Sequence, residues 1–195
     1  MLQTVLKNCT AYIVGVLLIA CLGSYLSVVL AGDKKGLQVY SASSHLQGDT
    51  LYLDTQLDYR LSRAALDALD SGVPLVFELE VDVLSPRDWL WDKTLSSYQF
   101  RYQLLYHALT QQYIVTNINS GIQNSYSRRN TALLSMGRIH NLPLLEMNQL
   151  PKAKQYIGRV RVSLDIGSLP APMRPWAYIN TDWLLASEWF TWEIN

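Results

Sequence analysis

Two hydrophobic patterns meet near residue 31. Ahead of it runs a nearly unbroken apolar stretch, Ala11 to Ala31, and beyond it apolar and polar residues alternate. Alternation with period two puts every second side chain on one face, so these segments predict strands with one buried side. Leu51, Leu53, Leu57 and Tyr59 alternate with Tyr52, Asp54, Gln56, Asp58 and Arg60. Upstream, Leu37 to Leu46 reads as a partner strand, and Gly48-Asp49 supplies the tight turn of a hairpin. The clearest strand sets Val73, Leu75, Phe77, Leu79, Val81 and Val83 against Val76, Glu78, Glu80 and Asp82. Tyr98, Phe100, Tyr102, Leu104 and Tyr106 repeat the pattern against Gln99, Arg101, Gln103 and His107. Further strands are predicted at Tyr113 to Ile118, Tyr156 to Ile166 and Trp183 to Ile194.

Two short helices interrupt the strands. Ser62 stands where an N-cap accepts from a free backbone N–H, and Ala65, Leu66 and Leu69 give the following turn an apolar side. Gly72 ends it, because glycine takes the left-handed C′ conformation without a Cβ penalty, and Pro74 prevents resumption. A second helix runs from Asn130 through Arg138. The loop Leu169 to Pro175 is too rich in proline for a central strand and is expected to wrap an edge. Seven or eight strands with one or two short helices predict a mainly β fold, an antiparallel β-sandwich or a curled sheet.

The apolar stretch adds an address. Its 21 residues, at about 1.5 Å rise each, reach roughly the ~30 Å of a hydrocarbon core. A retained transmembrane anchor and a signal peptide cleaved after Ala31 both fit, since Val29-Leu30-Ala31 precedes the polar turn Gly32 to Gly36. Leu18-Ile19-Ala20-Cys21 also has the form of a lipoprotein box, although more apolar residues follow where a polar tether is usual. The chain thus divides into residues 1–31, anchor or signal; 32–36, a linker; and 37–195, an extracytoplasmic β domain. That domain is cysteine-free, which excludes disulfides, thiol nucleophiles and cysteine-ligated metal from it. Of 16 basic residues only Lys7 lies ahead of residue 32, leaving 15 against 16 acidic ones beyond it. So even a charge gives no field to gather nucleic acid.

Several landmarks occur in one order: Ser71-Gly72-Val73-Pro74-Leu75-Val76-Phe77-Glu78-Leu79-Glu80, then Ser85-Pro86-Arg87-Asp88-Trp89-Leu90-Trp91-Asp92, then Tyr102 to Leu109. Arg159 to Asp165, Ser168-Leu169-Pro170 and Ser187-Glu188-Trp189-Phe190-Thr191-Trp192 follow. Together they resemble the bacterial domain-of-unknown-function family 4390 over about residues 37 to 194. The resemblance implies an exported or membrane-anchored protein of Gram-negative bacteria, with no activity, catalytic residue or cofactor to carry over. Genes of the family often neighbour that of a nitrogen-regulation sensor kinase, so the resemblance implies a link to envelope signalling by association only. Asp88 and Leu90, interleaved with Trp89 and Trp91, depart from a more uniformly aromatic family pattern.

Candidate chemistry is sparse. Glu78, Glu80 and Asp82 share one face, successive carboxylates about 6.5 to 7 Å apart. Glycoside hydrolysis or a calcium site needs carboxylates at such range. Ion pairing with Arg159 and Arg161, a basic row of matching spacing, is the simpler expectation. His107 lies among aromatics near a strand end, and His45, His107 and His140 have no metal-ligand spacing. No Gly-x-Ser-x-Gly elbow, phosphate loop or dinucleotide fingerprint occurs. Trp89, Trp91, Trp189 and Trp192 are candidates for partner binding, core filling being the alternative.

The reading that follows is a non-catalytic periplasmic interaction module, without cofactor, held at the inner membrane through residues 11–31 and facing the periplasm. Its expected partner is an envelope protein, not nucleic acid. A soluble periplasmic form follows if the signal is cleaved. The alternatives are a glycan-acting enzyme using Glu78, Glu80 and His107, and a lipid-binding β protein, which requires an apolar hollow.

Overall fold

The computed structural model describes residues 36–86, 92–149 and 155–194. The apolar stretch 11–31, the linker before Gly36, and Trp89 and Trp91 lie outside the described residues. Nine strands run in order: β1 (Gly36–Gln47), β2 (Thr50–Arg60), β3 (Leu75–Ser85), β4 (Lys93–His107), β5 (Gln112–Asn117), β6 (Gln123–Tyr126), β7 (Arg138–Glu146), β8 (Tyr156–Leu164) and β9 (Phe190–Ile194). Three short helices join them: α1 (Arg63–Asp70), α2 (Arg129–Gly137) and α3 (Arg174–Ile179).

The strands form two antiparallel sheets, β1-β2-β7 and β6-β5-β4-β3-β8-β9. The core lies between them. Leu51, Leu53, Leu57 and Tyr59 from β2 meet Phe77, Leu79, Val81 and Val83 from β3 and Val160 and Val162 from β8. Each is an inward residue of the alternation, so the period-two pattern maps directly onto the buried layer. β3 is paired on both sides and its inward row is completely buried. The domain is therefore mainly β, with two packed sheets.

Local signals explain the connections. Gly48 takes φ +62° in the β1–β2 turn. Ser62 accepts from the Ala65 N–H at 3.2 Å and starts α1, which Gly72 ends at φ +81°. A bulge between Val39 and Ser41 turns Tyr40 outward, and buried Thr55 donates to the Ser41 carbonyl at 2.8 Å beneath it.

Four details depart from the expected boundaries. Strand β9 begins at Phe190 rather than Trp183, because the Asn180 side chain accepts from the Asp182 N–H and closes a 3-10 turn over Thr181–Trp183. From there to β9 the segment meets β8 in one isolated bridge, Ala186 opposite Ser163, flanked by hydrogen bonds from the Leu164 N–H to the Leu185 carbonyl and from the Ser187 N–H to the Val162 carbonyl. The proline-rich loop runs into α3, whose Pro175 sits in the first turn, where a missing N–H is harmless. Strand β6, Gln-Asn-Ser-Tyr, has no apolar alternation, and β7 contains Pro143; neither was expected from pattern. Among the described residues the count is thus nine strands and three helices.

The two sheets are pinned together on one side. Trp192 on β9 packs inward over Gly158 of β8 and donates its indole N–H to Ser44 Oγ of β1 at 3.0 Å. A Cβ at Gly158 would stand 2.2 Å from the Trp192 ring. Gly158→Ala should therefore destabilise the domain by about 1 to 3 kcal/mol through overpacking, read as a lower denaturant midpoint at unchanged slope. The penalty should shrink in a Trp192→Leu background.

Tyr59 supplies a second test. Its ring packs edge-on to Phe77 at 5.0 Å, and its buried hydroxyl has no hydrogen-bond partner among the described residues. Burial holds its phenol far above the ordinary value, with Tyr102 adding to the shift. Because the hydroxyl is desolvated without return, Tyr59→Phe should be neutral or stabilising by up to about 2 kcal/mol in equilibrium unfolding. A large loss would show that the hydroxyl has a partner.

Candidate functional site

The outer face of β3 meets β8 through two ion pairs. Arg161 forks onto Glu80, Nε to Oε1 at 2.8 Å and Nη2 to Oε2 at 3.0 Å. Arg159 directs Nε and Nη2 to one oxygen of Asp82, at 2.8 and 2.7 Å. Antiparallel register sets both partnerships, since Glu80 stands opposite Arg161 and Asp82 opposite Arg159. Trp189 covers the two guanidinium groups, its ring centroid 4.3 Å from Arg159 and 4.7 Å from Arg161. Each such stack contributes about 0.5 to 1 kcal/mol at a half-exposed site.

This arrangement uses its donors and acceptors internally. Glu78, next along the face, stands between Arg101 and Ser163, and Arg101 turns instead to Asp165. His107 lies at the β4–β5 turn with Nδ1 3.1 Å from Thr110 Oγ1. From Arg101, the residue opposite Glu78, to His107 is six positions along β4, about 20 Å at strand spacing. Glu78, Glu80 and His107 therefore do not converge on one point. Trp189 is half-buried over the arginines and Trp192, also half-buried, reaches across the sheet interface, so both indoles make contacts within the domain.

A recess opens on the opposite side of the sandwich. Here β7 stands off from β4, β5 and β6 and leaves a cleft of about 690 Å³. Phe100, Tyr102, Val115, Met136, Ile139 and Leu142 form its apolar lining. The rim is polar: Asn117, Asn119, Asn124, Arg138, His140 and Asn141. Burial raises the Tyr102 phenol above its ordinary value, so the ring stays neutral. Among the described residues no carboxylate lines the cleft, and Arg138 is the one permanently charged side chain there. The size suits a small ligand or a short peptide segment.

Several rim amides are committed to architecture. Asn117 Oδ1 accepts from the N–H groups of Asn119 and Ser120, and Asn119 ties to the Arg101 N–H and Gln99 carbonyl. Asn141, at φ +52°, accepts from Gln47, and its N–H donates to Asp54. Asp54 also lies 3.0 Å from His45 and 3.5 Å from His140. Sequence pattern missed this cluster, because the histidines stand 95 positions apart and β7 carries no clear alternation. The aromatic row of β4 was the legible signal, as Phe100 and Tyr102 are inward residues that the small sheet leaves partly uncovered.

At the edge of the outer face, Arg101 Nη2 donates to Asp165 at 2.6 Å and to Ser168 at 2.7 Å. Burial alone would raise the Asp165 carboxyl, but hydrogen bonds from Ser168 and Arg101, the Arg101 charge and the Gly167 N–H outweigh it and hold it below the ordinary value. A carboxyl depressed by folding stabilises above its unfolded pKa, and that stabilisation disappears as pH falls through the folded value. Asp165→Asn should lower the melting temperature at pH 7. It should also flatten the loss of stability that the natural protein shows below about pH 4, the unfolded carboxyl range. An acid limb unchanged by the substitution would remove Asp165 as its source.

The family model for Domain of unknown function (DUF4390) matches residues 34–193. No curated protein and no solved structure matches the chain. The family match spans the described fold up to the last residue but one of β9, including both ion-paired strands and the cleft. The chain belongs to the DUF4390 family.

Proposed function

We propose that the domain is a non-catalytic binding module of the bacterial envelope, held at the inner membrane through residues 11–31, and that the cleft beside β7 is its binding site. The cleft carries the proposal. It combines an apolar lining, a polar rim and a single permanent positive charge at Arg138. A partner protein offering an extended segment with apolar side chains and a carboxylate fits that chemistry, the carboxylate meeting Arg138. The wall supplied by β7 is irregular, with two register shifts against β2. Contact is therefore through side chains. The catalytic alternative loses support because Glu80 is held by Arg161, while His107 lies about 20 Å away along β4 from the position opposite Glu78. A lipid chain is the second reading, favoured by the apolar lining.

The test uses the full chain in host membranes with a photoreactive benzophenone at Asn124, an exposed rim position. A discrete protein adduct is expected, and Arg138→Glu or a change of Ile122, an exposed residue that also lines the cleft, to Asp should suppress it without shifting thermal unfolding. An adduct of lipid mass would transfer the site to the second reading. Labelling that is diffuse, or unchanged by both substitutions, would sink the cleft as a binding site.

A further inference from the structure

Helix α3 is built inside out. Of its residues 176 to 179 only Ala177, the smallest, is buried, while Trp176, Tyr178 and Ile179 are 63%, 59% and 74% exposed. Leu184, just past the turn Thr181–Trp183, is 55% exposed, and Leu109 at the tip of the β4–β5 hairpin is 93% exposed. An amphipathic helix of a soluble domain does the reverse and turns its large apolar residues to the core. Contiguous exposed apolar surface of this kind marks a contact surface, whereas single scattered residues need no explanation.

The topology places this surface at one end of the sandwich. Gly36, where β1 begins, pairs with Arg60, and β2 leads from there through Ser62 into α1. Helix α1 packs against the Thr181–Trp183 turn, which packs against α3. Gly72, following α1, lies against the Tyr106 carbonyl, so the β4–β5 hairpin tip is at this end too. Among the described residues, five of the ten exposed large apolar side chains therefore gather where the chain enters the domain. Only four residues separate Gly36 from the apolar stretch that ends at Ala31. Fully extended, that link spans at most about 18 Å. Strand β4 alone, with its 15 residues, is about 50 Å long.

We infer that the end of the domain formed by α3, Leu184 and Leu109 rests on the phospholipid interface of the membrane that residues 11–31 enter. Tryptophan and tyrosine favour the headgroup level, where the ring is sheltered and its polar edge stays wet. Tethering supplies a high local lipid concentration, so a surface too small to hold a free protein suffices. The contact is shallow: no helix among the described residues is long and apolar enough to cross a membrane. Three basic side chains at this end have partners within the domain, Arg63 with Asp67, Arg129 with Asp70, and Arg174 with the Leu169 carbonyl, so the contact is attributed to the apolar side chains rather than to anionic lipid. The inference rests on residues 11–31 staying in the bilayer, and adds an orientation that the binding role does not require.

The experiment reconstitutes the full chain, with Cys9→Ser and Cys21→Ala, into phosphatidylcholine vesicles, and attaches an environment-sensitive fluorophore through Ile179→Cys or Leu46→Cys. Leu46 lies by the β1–β2 turn, at the far end of the sandwich. Spin-labelled lipid should quench the label at position 179 several-fold more than the label at position 46, without sensitivity to salt. Adding Trp176→Ser and Tyr178→Ser should abolish the difference while flotation with vesicles and thermal unfolding stay unchanged. A chain that floats with both labels equally in water overturns the docked orientation alone. A chain that fails to float overturns the docking and the anchored reading together.

Discussion

Burial of the inward row of β3 is the interaction on which everything else rests. Phe77, Leu79, Val81 and Val83 expose no surface, and burying each contributes roughly 1.5 to 3 kcal/mol relative to leaving it in water. That row needs cover on its inner face and hydrogen-bonded neighbours at both edges. The three-stranded sheet provides the first; β4 and β8 provide the second. Because side chains alternate, the same strand must send Glu78, Glu80 and Asp82 to the other face. The carboxylates are thus a by-product of the core pattern before they are anything else. Arg159 and Arg161 convert two of them from a liability into cross-strand ties, and Trp189 closes over the result.

The sandwich is asymmetric from side to side. At the β1–β9 side, a tryptophan lies on a glycine and hydrogen-bonds across to the facing sheet. At the β7 side the smaller sheet runs out before the larger one does, and the aromatic row of β4 continues past it. An exposed aromatic row would be costly in water, so α2 and the ordered loop before β6 partly cover it. What remains is the cleft. Its position follows from a mismatch in sheet width, six strands against three, rather than from any residue motif.

That origin explains what was legible in the sequence. Strands with an apolar row wrote themselves into the pattern: β1 to β5 and β8 all carry alternation, and Ser62 with Gly72 marked α1 by cap chemistry. Strand β6 carries no such row, because its four residues are mostly exposed. Strand β7 was masked by Pro143 and by the positive φ of Asn141, which break periodicity. The stretch after Trp183 kept the composition of a strand, yet the Asn180 cap and the Ser187 contacts with Val162 hold it as a loop beside β8. For the site, matching charged rows at spacing two anticipated the pairs between β3 and β8. The cleft was hidden, since neither β6 nor β7 carries alternation and β7 is placed by pairing with β2, a contact between residues about ninety positions apart.

The broken edge of β7 bears on selectivity. A regular free edge is a template that accepts any extended chain, because backbone donors and acceptors are common to all sequences. Pro143 removes one donor, Asn141 turns the backbone left-handed, and two register shifts disturb the twist. Such an edge cannot extend its sheet by continuous pairing with a stranger. If the cleft binds as proposed, its occupant would be recognised by side-chain shape and by the charge of Arg138, and the same irregularity disfavours pairing of this one edge with its own copy.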